Sequence, residues 1–158
     1  MTIVEFIEAR IGEREAAARA AGQRSMEWVA FDCAVAGGPF APADPETGMA
    51  AYGENTIVYD EGFPLRPEAE HIALNDPAQA LQDCTAMRLL IDAEIDSMYG
   101  WWDELDGCGN VTKEGIRAGR HMDERFCNLD DSSTLRALAS AWSMHPNYRP
   151  KWAPTQED

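Results

Sequence analysis

Apolar residues return every three or four positions at both ends of the chain and every second position near residue 30. The two periods predict helices and a strand respectively. Val4, Ile7, Ile11 and Ala18 form the first helical stripe, with Ile3 and Phe6 beside it. Thr2 and Glu5 stand three apart at its start, the spacing of a capping box, and Gly22 is placed to end it. Residues 26–36 alternate as a strand that Gly37-Gly38-Pro39 closes, and residues 56–60 are β-branched and aromatic enough for a second. Arg66-Pro67-Glu68 opens a short helix through Leu74. Asp76 then N-caps a long one, with Pro77 in its first turn and a stripe of Leu81, Cys84, Met87, Ile91, Ile95 and Met98 that Gly100 breaks. A weaker helix is predicted from Thr112 to Met122. The last begins near Ser132 or Ser133, carries Leu135, Leu138, Ala139 and Trp142, and stops at Pro146, with Tyr148 and Trp152 folding back.

These elements predict an α+β fold. A small antiparallel sheet is packed by an N-terminal helix, a long central helix and a C-terminal helix. The 158 residues suit one domain, with a loop over 37–50 and a poorly readable stretch over 100–131. No internal repeat or low-complexity tract is present.

Charge changes this picture more than length does. The chain carries 28 acids and 13 bases, a net charge of -15. Duplex nucleic acid and anionic membrane surfaces are therefore expected to be excluded as partners, because each phosphate contact consumes a Lys or Arg. The imbalance is confined. Residues 1–24 and 107–158 are each neutral, whereas residues 25–106 hold 17 acids and two bases, Arg66 and Arg88. Asp83, Asp92, Glu94 and Asp96 decorate the long helix, and Asp103, Glu104 and Asp106 continue the run. Such a run is either a solvated face or a docking surface for a partner with a basic surface. Tyr99, Trp101 and Trp102 lie inside it and, with Asp92, Asp96, Asp103 and Glu104, form the expected recognition patch.

The candidate chemistry is thinner. Asp92 and Asp96 share a helix face and offer a hard-cation site with Asp103, or a carboxylate pair for hydrolysis. No EF-hand spacing, glycine elbow, P-loop or dinucleotide fingerprint accompanies them. Cys108, His121 and Cys127, with Cys84 or His145 as a fourth ligand, are the candidates for a structural zinc site at loose spacing. His71 and Cys33 read as packed core residues. The N-terminus lacks the basic and apolar regions of a signal peptide, and no apolar run approaches the ~18 residues of a membrane span. Four cysteines without CxxC fit free thiols in a bacterial cytoplasm. Eleven arginines against two lysines, with 24 alanines, fit a GC-rich genome.

Four segments carry a resemblance: the opening Thr2–Ile11 with Glu15–Ala21, Val58–Gly62, His71–Leu81, and Thr134–Ala139 with His145–Trp152. Together they resemble a domain-of-unknown-function family of small proteins from actinobacteria and actinobacteriophages. That resemblance implies a lineage and no mechanism. Related sequences often hold a CxxC shortly before a further Cys. Cys108 and Cys127 match the outer two of these cysteines and Val111 stands at the CxxC partner position, so the resemblance implies either a degenerate site or one in which His121 substitutes for the missing ligand. The expectation is a small, phage-encoded accessory protein that binds another, host protein. The alternatives are a zinc-stabilised binding module and a carboxylate hydrolase, with no other cofactor.

Overall fold

A computed structural model describes residues 1–31, 34–38, 56–58, 64–106, 112–118 and 129–154; the side chains of Phe31 and of residues 101–106 lie outside that description. The elements are α1 (Ile3–Ala21), β1 (Trp28–Phe31), β2 (Ala34–Gly37), β3 (Thr56–Val58), α2 (Arg66–Leu74), α3 (Pro77–Asp106), α4 (Lys113–Arg117) and α5 (Ser133–Ser140). Short 3₁₀ turns cover Leu129–Asp131 and Pro150–Trp152. The fold is α+β with one small antiparallel sheet, as the periodicities predict. The chain forms two compact units: Met1–Glu13 with Cys84–Asp158, and Arg14–Asp83.

The first unit is helical. Glu5 N–H donates to Thr2 Oγ1 at 3.2 Å and Thr2 N–H to Glu5 Oε2 at 2.8 Å, so the capping box is formed. The stripe it launches, Ile3, Val4, Phe6, Ile7 and Ile11, is fully buried. Cys84, Ile91 and Ile95 of α3, Ile116 of α4, Leu129 of the first 3₁₀ turn, Leu135 and Ala139 of α5, and Trp152 complete that core. Burying an aliphatic side chain of this size contributes about 1.5–3 kcal/mol, so this cluster dominates the unit's stability. Ser132 caps α5 by accepting Leu135 N–H at 3.1 Å. The helix ends at Ser140, six residues before Pro146, and a series of turns carries the chain to Trp152.

The second unit holds the sheet, in the order β1-β2-β3. Trp28 pairs with Gly37 and Phe31 with Ala34, so the stretch predicted as one strand over 26–36 is a hairpin. Alternation misleads here because no glycine or proline interrupts the run from Trp28 to Ala36 to mark the reversal. Gly38 follows β2 with φ +81°, the left-handed region where glycine costs least, and its N–H bonds Glu27 O at 3.0 Å. β3 pairs with β2 through Val35–Val58 and Ala36–Thr56, with an irregularity between them. Helix α2 lies against β1 and β2 and buries Ala69. His71 stands two residues on, 200° around the helix, and is therefore exposed rather than packed as the sequence reading had it. Cys33 lies outside the described residues.

Asp76 ties the second unit together. Its Oδ1 accepts Gln79 N–H at 2.7 Å, capping α3 above Pro77, while Oδ2 accepts Trp28 N–H at 3.2 Å. Ala78 N–H donates to Met26 O at 2.9 Å, so the start of α3 is clipped to the entrance of β1. Helix α3 then runs 30 residues and passes through Gly100, where the sequence reading stopped it. One interior glycine costs only about 1 kcal/mol relative to alanine, which the hydrogen bonds of a long helix outweigh.

Candidate functional site

Helix α3 presents two carboxylates one turn apart, Asp92 and Asp96, and α4 presents two cations at the same spacing, Lys113 and Arg117. The match is antiparallel: Arg117 Nη2 bonds Asp92 Oδ1, and Lys113 Nζ approaches Asp96 Oδ1 to 2.6 Å. Arg117 also bridges to Glu8 of α1 through Nη1. The short helix exists because Thr112 caps it, accepting Gly115 N–H at 3.0 Å, and because Ile116 is buried. With Ile95 and Glu114, these four charged residues line an open cleft of about 340 Å³.

Lys113 Nζ also lies 5.7 Å from the centre of the Tyr99 ring. The adjacent Asp96 carboxylate holds the Lys113 ammonium above the usual lysine value, against a smaller opposing effect of burial. Asp92 and Asp96 keep 54% and 57% of their side chains exposed, so they remain available to solvent while ion-paired on one side. The bases here come from the neutral C-terminal segment, and Arg14 likewise meets Asp83 at 2.6 Å. Folding thus brings bases from the neutral ends against the acidic middle.

The remaining predicted patch residues, Trp101, Trp102, Asp103 and Glu104, continue α3, and their side chains are outside the described atoms. Tyr99 is half-buried against the helical core. The zinc candidates Cys108, His121 and Cys127 all lie outside the described residues. Their suggested fourth ligands are placed. Cys84 is fully buried among isoleucines, and His145 contacts Arg10. Among the described residues, no three His, Cys, Asp or Glu side chains gather in a way that would hold a metal. No helix among them is long and apolar enough to cross a membrane.

Residues 1–154 match the family described as "Family of unknown function (DUF6221)". The chain belongs to that family. No curated protein and no solved structure matches it.

In this DUF6221 chain the C-terminal His145-Pro-Asn-Tyr-Arg-Pro-Lys-Trp152 segment is a packing device. The Phe6 ring centre lies 5.8 Å from His145, 6.0 Å from Tyr148 and 5.1 Å from Trp152. Arg149 stacks over Trp152 at 5.4 Å and Arg10 over Phe6 at 5.5 Å. Asn147 N–H donates to His145 Nδ1 at 3.1 Å while Arg10 Nη1 lies 2.9 Å from the same nitrogen. The spacing of residues 145, 148, 149 and 152 is the sequence signal for one shared surface. No local pattern reveals its partners Phe6 and Arg10.

A second relationship that sequence reasoning missed is Asp130. Its Oδ1 accepts the Ile3 N–H at 3.0 Å, its Oδ2 takes the Lys151 ammonium, and its backbone oxygen accepts Arg136 Nε at 2.7 Å. Burial pushes this carboxyl up. The Lys151 ammonium and the Ile3 N–H outweigh burial, with a smaller pull from the Trp152 indole, and hold it below the usual carboxylate value. That indole N–H is buried and lies outside strict hydrogen-bond geometry, so its share is the weakest of the three.

Proposed function

We propose that this protein acts by binding another protein through the acidic edge of α3. The observation that carries the reading is the state of Asp92 and Asp96. Both are fixed from one side by α4, yet more than half exposed on the other, beside Tyr99 and an open cleft. Fixed carboxylates need no reordering when a basic surface arrives, which lowers the entropic cost of association. Asp103, Glu104, Trp101 and Trp102, the other residues of the expected patch, follow in sequence on the same helix. The net charge of -15 accelerates encounter with a basic partner and repels duplex nucleic acid. The arginine- and alanine-rich composition fits a GC-rich source such as an actinobacterium or its phage, and in that setting the protein is an accessory factor of the bacterial host cell.

The test is affinity capture from host lysate across a salt series, followed by binding of the recovered protein in purified form. A basic protein that binds at low salt and weakens at least tenfold with Asp92→Asn/Asp96→Asn/Asp103→Asn supports the reading. Capture that the triple substitution leaves unchanged sinks it.

A further inference from the structure

We infer that the outward face of α3 from Ala86 to Gly100 is a seam that receives an amphipathic helix of the partner, with basic side chains along the edges of that helix. This rests on the protein-binding reading above and names the shape of what binds. Ala86, Leu90, Ala93, Ser97 and Gly100 recur every three or four residues with Leu89 beside Leu90, and at 100° per residue the six form one stripe. All six are exposed, Leu89 by 64% and Leu90 by 46%. Cys84, Ile91 and Ile95 occupy the opposite stripe and are buried in the helical core.

A helix with one side in a core ordinarily turns charged and polar residues to water. Here the outward stripe carries no charged residue over four turns, so α3 is apolar on both sides. The composition of the stripe suits a second helix. Ala86, Ala93, Ser97 and Gly100 allow close backbone approach, and a Cβ on Gly100 would meet nothing within 4 Å. Leu89 and Leu90 supply the side chains that fill a partner's groove.

Charge selects the occupant. Asp92 and Asp96, ion-paired with Arg117 and Lys113 on one side yet 54% and 57% exposed, border one edge of the stripe, and Glu94, which accepts Ser132 Oγ at 3.1 Å, borders the other. A helix with Lys or Arg beside its apolar seam meets carboxylates on both edges, those of Asp92 and Asp96 shared with the α4 cations. A second copy of this chain, itself at -15, would bring acids against acids.

The probe is a pair of synthetic 18-residue helical peptides sharing one Leu/Ala seam, flanked by lysine in one and by glutamate in the other. Titration calorimetry with the full chain should show one lysine-flanked peptide bound per chain, and the glutamate-flanked peptide at least thirtyfold weaker. Leu89→Gln and Leu90→Gln, which touch only exposed positions, should each weaken binding at least tenfold with an unchanged far-UV spectrum. Binding that both leucine substitutions leave intact but Asp92→Asn/Asp96→Asn abolishes overturns the seam and leaves the acidic docking surface standing. Failure of the lysine-flanked peptide to bind overturns the helical occupant. A dimer by sedimentation, dispersed by Leu89→Gln, gives the face to a second copy and overturns the basic partner.

Discussion

Asp130 accepts the backbone N–H of Ile3 at 3.0 Å, joining positions 127 residues apart. The first turn of a helix has N–H groups without intrahelical partners, and Ile3 is wholly buried, so an unmet donor there would carry its full desolvation cost. Thr2 and Glu5 meet two donors locally, and Asp130 meets the third from the far end of the sequence. The same carboxylate holds Lys151, next to the buried Trp152.

Asp130→Ala should therefore lower stability by about 1–2 kcal/mol in chemical denaturation, the usual cost of a lost cap with a buried donor. Asp130 also sets a pH dependence whose sign is fixed. Its folded pKa is held below the unfolded value of about 3.9, so its stabilisation is fully present above that value. The stabilisation is lost as pH falls through the depressed folded pKa. Denaturation midpoints below about pH 4 should fall more steeply for the native chain than for Asp130→Asn, which starts lower at pH 7. Equal slopes would remove Asp130 from the acid response.

Trp152 is fully buried and its ring centre lies 5.1 Å from that of Phe6. Trp152→Ala should cost about 3–5 kcal/mol, the range for deleting a large buried aromatic. Trp152→Phe should cost less and keep a cooperative transition. A tail that merely drapes on the surface would give a Trp152→Ala change under about 0.5 kcal/mol.

What the sequence shows well is what side chains do to their nearest backbone. Thr2 with Glu5, Asp76 with Pro77, and Ser132 each start a helix where local rules put it. It shows poorly where a local signal competes with the rest of the fold. Gly100 reads as a stop but is carried by the hydrogen bonds around it, and one alternating run conceals a reversal between Phe31 and Ala34. The pairing of Asp92 and Asp96 with Arg117 and Lys113 is half visible, since both pairs stand at i,i+4. Ile3 with Asp130 and Arg10 with His145 are invisible, because neither contact leaves any trace in spacing.

The α3–α4 ion pairs should prove weak individually. Arg117 and its partners Glu8 and Asp92 are each between 29% and 54% exposed, and pairs screened by solvent contribute about 0–1 kcal/mol. A double-mutant cycle on Asp92→Asn and Arg117→Ala should return a coupling in that range. The coupling should shrink further in 1 M salt, where the screening length is about 3 Å. A coupling above about 2 kcal/mol would mean that the cleft is dry rather than open to water.

Cys84 separates packing from chemistry. Its thiol is fully buried in the helical core, with Sγ 3.9 Å from Ile11 O. Iodoacetamide should leave it unmodified in the native protein and alkylate it only along the urea unfolding curve, read by mass spectrometry of the peptide that contains it. Replacement should also be ordered. Cys84→Ala leaves a void of about one sulfur atom. Cys84→Ser puts a more strongly hydrated hydroxyl in place of the thiol among the isoleucines of the core, which raises the desolvation cost of burial. Serine should thus be the worse substitute, and a serine variant as stable as the alanine variant would mean that water reaches this position.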